Sequence, residues 1–259
     1  MKALRNLLLS EFTKFKRKKI FIFGILAALI FPIFNSILLE ANYEDIQSTV
    51  REYSGFILLM PILIVLASVL FFSEQDNDTL KNLLSIPISK MQLVFVKMIV
   101  LLLFSIFFQL IGFITGTVIA AIQNIPLNDF FLQFNLTLAT GILLWAAALP
   151  CIVLVVWFNK SYILSVIIVF FYTMLNYIMH FSDGVLRQPL GFNAGTLMPI
   201  PMIFRWLYQF YTPIGDIQIQ FYNRFSPYFV PAAVCFGVLL LEAAVCICLM
   251  ICIYRRREI

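Results

Sequence analysis

Residues 74–97 read EQDNDTLKNLLSIPISKMQLVFVK and stand between two long apolar runs. The stretch opens on three acids, Glu74, Asp76 and Asp78, and closes on lysines at 81, 90 and 97. Thr79 to Ile86 has the composition of a short helix. Pro87 stops it, because a proline ring disfavours a helical backbone at the residue before it. A charged, structured hairpin between two membrane spans reads as a docking element.

The flanks set the fold class. Of 259 residues 62% are hydrophobic and only 12% charged, whereas a soluble domain is about half apolar and about a quarter charged. Several long apolar runs with so few charges make an all-α integral membrane protein. No soluble-looking block is long enough to fold alone, so residues 1–259 read as a single transmembrane domain. The net charge of +5 does not point to nucleic acid, since the basic residues flank apolar runs and set orientation. Cys151, Cys235, Cys246, Cys248 and Cys252 lie within or at the ends of apolar runs and read as apolar filler. Cys252 is in addition a candidate for palmitoylation.

Residues 1–19 do not form a cleavable signal, because the basic cluster Lys14, Lys16–Lys19 follows the amphipathic segment instead of preceding an apolar core. Leu4, Leu8, Phe12 and Phe15 recur at helical spacing, with Arg5, Glu11 and Lys14 elsewhere around the wheel. The expectation is an amphipathic helix in the membrane interface with its polar face in the headgroups.

Six spans are expected, at about residues 20–39, 55–72, 93–122, 136–158, 162–181 and 228–254. Lys97, near the start of the third, is expected to snorkel. With the N-terminus inside, only Arg51, Arg187, Arg205 and Arg224 of the 18 lysines and arginines fall outside. The positive-inside rule then puts both termini and the 73–92 hairpin in the cytoplasm. The outer segment 40–54 is acidic. Residues 182–227 contain LMPIPMIFRWLYQFYTPIG, apolar but broken by Pro199, Pro201 and Pro213. This predicts short re-entrant helices before the sixth span, with Trp206, Tyr208 and Tyr211 at headgroup level.

The chain offers no catalytic constellation. Its one histidine, His180, excludes a histidine metal cluster and reads as a local polar pair with Asp183. No glycine is followed by lysine, so the phosphate-cradling GxxxxGK[ST] loop is missing. Glu242, deep in the last apolar run, is either protonated glue between helices or a transport site. Gly112 and Gly116 form a GxxxG that signals close helix packing.

A basic amphipathic N-terminal helix, six spans with both ends inside, the hairpin E-x(4)-T-L-K-x-L-L-x-x-P-I-S-K and short re-entrant pieces before the sixth span together resemble the ABC type-2 exporter permeases. Asp78 stands where that family more often has glycine. In size and in its lysine-rich, Phe/Ile-rich character the chain is similar to the small lantibiotic-immunity and bacitracin-resistance permeases of Gram-positive bacteria.

The resemblance implies a plasma-membrane dimer of permeases, identical or different, on a cytoplasmic ABC ATPase dimer that binds ATP and magnesium. The permease itself is then neither an enzyme nor a cofactor carrier. Glu74, Thr79, Leu80, Lys81, Leu83, Leu84 and Pro87 would form the coupling helix in the ATPase cleft. Leu80, Leu83 and Leu84 ringed by charge have the make-up of a hot-spot interface. The cargo would be an amphiphilic molecule drawn from the bilayer, a peptide antibiotic or toxin foremost. Two other classes compete. An ion-coupled transporter using Glu242 predicts repeated halves with matching broken helices, and a non-transporting scaffold or sensor predicts no need for an ATPase.

Overall fold

The computed structural model describes residues 2–16, 19–38, 42–76, 89–158, 162–213 and 215–256. Among them regular structure is entirely helical. Each of the six stretches read as a span falls on a helix. α1 is Lys2–Lys16 and α2 is Lys19–Leu38. α3, Tyr43–Thr49, continues through a π-helical segment, Val50–Leu59, into α4, Met60–Asp76. α5 is Lys90–Ile122, α6 Phe130–Trp157 and α7 Tyr162–Met179; α12, Ala232–Arg256, closes the bundle. Four helices, Tyr43–Phe72, Lys90–Ile122, Phe130–Trp157 and Ala232–Arg255, are long and apolar enough to cross a bilayer, and Phe21–Phe34 and Leu164–Met179 are shorter apolar helices. The protein is an all-α membrane protein.

α6 is the hub. Its most apolar window is 78% buried, against 22% for the last helix, so α6 is wrapped by protein and α12 lies at the edge. Small residues make this possible. A Cβ on Gly141 would lie 3.1 Å from the Ile106 backbone, and the Ser105 hydroxyl donates to the Gly141 carbonyl at 2.6 Å. Trp145 donates its indole N–H to the Met98 carbonyl on α5, and Tyr172 on α7 donates to the Ala147 carbonyl. In an apolar medium such close packing and interhelical hydrogen bonds hold helices together.

Three features go beyond the sequence reading. The acidic segment 40–54 is helical from Tyr43 onward. Asn42 and Asp45 form a reciprocal capping box, and Tyr43, Ile46, Val50 and Arg51 turn inward. This helix packs on the GxxxG face of α5. A Cβ on Gly112 would meet Val50 at 2.6 Å, and one on Gly116 would meet Ile46 at 3.0 Å. Gln47 donates to the Phe113 carbonyl, and Tyr43 is hydrogen-bonded to Thr117.

The second is in α1. Among its described side chains Leu7 and Glu11 are buried, while Leu9 and Phe12 stay exposed. Glu11 turns inward because it has a partner in the bundle.

The third is in residues 182–227. They do form short helices: α8 Asp183–Leu186, α9 Ala194–Leu197, α10 Pro199–Leu207 and α11 Asp216–Phe225. Trp206, however, is buried against Phe210 and Phe236 instead of standing among headgroups. Asp183 pairs with Arg187 and Arg224, leaving His180 to donate from Nδ1 to the Tyr177 carbonyl among the rings of Phe56, Phe181 and Phe204.

Candidate functional site: a buried clamp at the root of the charged hairpin

The hairpin that organises the sequence leaves the bundle at the end of α4 and returns at Ser89. Glu74 lies on the last turns of α4. Thr79, Leu80, Lys81, Leu83, Leu84 and Pro87 lie outside the described residues. The return is sharp. The Ser89 hydroxyl accepts from the Gln92 N–H at 3.2 Å, and the Gln92 side chain accepts from the Ser89 N–H at 3.1 Å. This reciprocal S-x-x-Q box starts α5 at Lys90, three residues before the expected span begins.

About two turns further on, Lys97 points into the protein. It does not snorkel: its side chain is fully buried. Its ammonium donates to the Leu70 carbonyl at 2.6 Å and to Glu11 Oε2 at 3.3 Å, and lies 5.3 Å from the centre of the Phe71 ring. Glu11 is 1% exposed. Phe71 in turn meets the ring of Tyr254 near the end of α12, edge on, at 5.4 Å.

Four elements thus converge at the hairpin's root: α1, the end of α4, the start of α5 and the end of α12. A charge this deep persists only when paired and hydrogen-bonded. Here the carboxylate comes from α1, the carbonyl from α4 and a ring face from Phe71. The arrangement has no reactive chemistry. What it can do is mechanical: a displacement of the hairpin reaches α1 through the Lys97–Glu11 ion pair and reaches the last helix through Phe71 and Tyr254.

Glu242 is half-buried on α12, beside exposed Leu241, Val245 and Leu249. Among the described residues none donates a hydrogen bond to it, and Tyr172 and Cys246 are its electrostatic neighbours. The structure does not bring it to the clamp. Among the described residues no group of histidine, cysteine and acids could hold a metal ion. Sequence reading placed Glu11 on a solvated face and missed the clamp. The one available signal was an acid on a basic N-terminal helix together with a lysine inside an apolar run.

Residues 7–176 match the family model described as "ABC-2 family transporter protein". That match takes in α1 from Leu7, the whole hairpin and Lys97. Over 162 residues the chain is 27% identical to a bacitracin transport permease protein of Bacillus licheniformis, covering 56% of this chain and 74% of that protein.

Proposed function

This chain belongs to the ABC-2 transporter family, and from that premise we propose that it is the membrane subunit through which a separate ATPase drives export of an amphiphilic substrate. Two permeases, identical or different, would stand on a cytoplasmic ATPase dimer. The chain would cross the plasma membrane six times with both ends inside, as its distribution of lysine and arginine favours. Residues 73–92 would seat in the ATPase cleft through Glu74, Thr79, Leu80, Lys81, Leu83, Leu84 and Pro87. The Bacillus relative is a bacitracin transport permease, which favours a peptide antibiotic as cargo and a Gram-positive host.

The observation that carries the coupling step is the Lys97–Glu11 pair at the hairpin's root. A docking loop transmits motion only if its base is fixed to the helices that must move. Here the base is fixed by a buried charge pair that is costly to break. The absence of a GxxxxGK[ST] loop from the sequence makes a separate ATPase necessary for this reading.

The hairpin supplies the test. Leu80→Glu, Leu83→Glu and Leu84→Glu, combined in one chain, replace three apolar anchors by carboxylates. Co-purification of the ATPase in mild detergent is expected to fall at least about tenfold. Helical content and thermal midpoint should stay as in the unaltered chain. Full retention of the ATPase would remove the coupling role from this hairpin. Mass spectrometry of the unaltered complex reads the remaining composition: one permease sequence or two.

A further inference from the structure

The segment Val50–Leu59 winds as a π-helix, in which each N–H reaches back five residues instead of four; at its end the Met60 N–H donates to the Gly55 carbonyl. These wide turns set its register against α5. Val50 packs at Gly112, and five residues on, Gly55 faces Gln109. A Cβ on Gly55 would lie 2.6 Å from the Gln109 amide nitrogen and 2.8 Å from Leu144 on α6. Gln109 is fully buried, and neither its amide nitrogen nor its amide oxygen has a hydrogen-bond partner among the described residues. Ser54, next to Gly55, is fully buried as well, and its hydroxyl is equally unpartnered. Gln47 and Arg51 on the same helix each leave one atom unpaired. Gln47, however, already bonds α5 through its nitrogen, and Arg51 borders a small surface recess with room for about one water. Neither Ser54 nor Gln109 lines that recess.

Unpaired amides and hydroxyls are costly in an apolar interior, so two of them at one helix contact call for a state in which they are paired. The helix register supplies one. In an α-helix the residue one turn beyond Val50 is Ser54, not Gly55. Rewinding the segment from π to α therefore brings Ser54 to the place that Gly55 now holds, with its hydroxyl against the Gln109 amide. We propose that Val50–Leu59 is a two-register element, π-helical in the state described above and α-helical in a second state in which Ser54 hydrogen-bonds Gln109. Glycine at 55 permits the first register, since a side chain there would meet Gln109 and Leu144. Rewinding takes up fewer residues per turn, and the difference passes into α4 as a turn and an advance along its axis. From Met60 to Phe72 that helix is apolar at every position but Ser68, so a turn exchanges one apolar contact for another. Its far end carries the Leu70 carbonyl and Phe71 to the clamp. The link from register to hairpin rests on the function proposed above; the register change itself does not.

The full chain in detergent tests the element through a double-mutant cycle, Ser54→Ala against Gln109→Met, read as the thermal midpoint. In the unaltered chain each substitution removes a group that has no partner. Neither is expected to lower the midpoint, and their effects should add. Gly55→Ala puts a methyl where the π register has no room and should favour the α register. In that background each substitution is expected to lower the midpoint by about 2–4 °C, and the two together by no more than either alone. Coupling already present in the unaltered chain would overturn the proposal, since Ser54 and Gln109 are then joined, directly or through a water, in the π register. Additive effects in the Gly55→Ala background overturn it too. So does a Gly55→Ala chain that only unfolds, because the segment then has no second register to enter. Adding the ATPase and ATP to the unaltered chain should bring out the same coupling. If coupling appears with Gly55→Ala but not with ATP, the two-register element stands and its drive by an ATPase falls.

Discussion

Lys97→Met is expected to destabilise the folded protein by about 3–5 kcal/mol, because it takes a buried ammonium away from the Glu11 carboxylate, itself 1% exposed. The Leu70 carbonyl loses its 2.6 Å donor in the same step. Glu11→Leu is expected to be nearly as damaging, since it removes a carboxylate from a fully buried ammonium. Combining the two should recover most of the loss. Leucine and methionine have about the volume of the groups they replace, and exchanging a buried ion pair for apolar side chains is often neutral or better. The checking measurement is a double-mutant cycle on the thermal midpoint in detergent, with ATPase co-purification read in parallel. Losses that simply add would mean that Glu11 and Lys97 do not act as a pair. Each single substitution should also weaken retention of the ATPase, since both loosen the base on which the hairpin stands.

That clamp marks where sequence reading stops. The long helices were legible because apolar runs bounded by Pro, Asn and charge admit no other structure in a bilayer. Gly112 and Gly116 were legible for a related reason: only residues without bulk let Val50 and Ile46 come so close. Lys97 was not. A lysine three or four residues inside an apolar run reads as snorkelling, and its partner lies 86 residues earlier on a helix whose polar face appeared solvated. The segment 40–54 was read only as acidic, although Asn42-x-x-Asp45 is a helix start and Tyr43, Ile46 and Val50 follow at helical spacing. The π-helical register of Val50–Leu59 leaves no mark in an apolar pattern. Nor does composition reveal that Arg51 faces a recess instead of solvent. Pairings between distant elements are fixed by packing, and a single sequence carries no record of packing.

Arg205 shows the same limit and leads to the second large effect. Counted by its charge it belongs to an outer segment; in the structure it is 1% exposed. Its Nε donates to the Tyr228 carbonyl at 2.9 Å and its Nη1 to the Gly195 carbonyl at 3.2 Å, while its own carbonyl accepts from the Val230 N–H. One guanidinium thus joins α9, α10 and the turn that leads into α12. Arg205→Met keeps much of the length but leaves two carbonyls without donors, at about 1–3 kcal/mol each. The segment is closed with little clearance, since a Cβ on Gly195 would lie 2.3 Å from the Val185 carbonyl oxygen. That neighbour is backbone and cannot rotate away, so Gly195→Ala should disturb the same contacts. Amide exchange is expected to accelerate across residues 183–230 in both variants and to stay slow in α5 and α6, which share none of these bonds. Arg205→Lys should not rescue, because one ammonium cannot reproduce the planar fork that reaches both carbonyls. Uniform acceleration through α5 and α6 would instead make Arg205 part of the global core. With exchange confined to 183–230, this segment is a cooperative unit that depends on Arg205 and can loosen while the bundle beneath it stays folded.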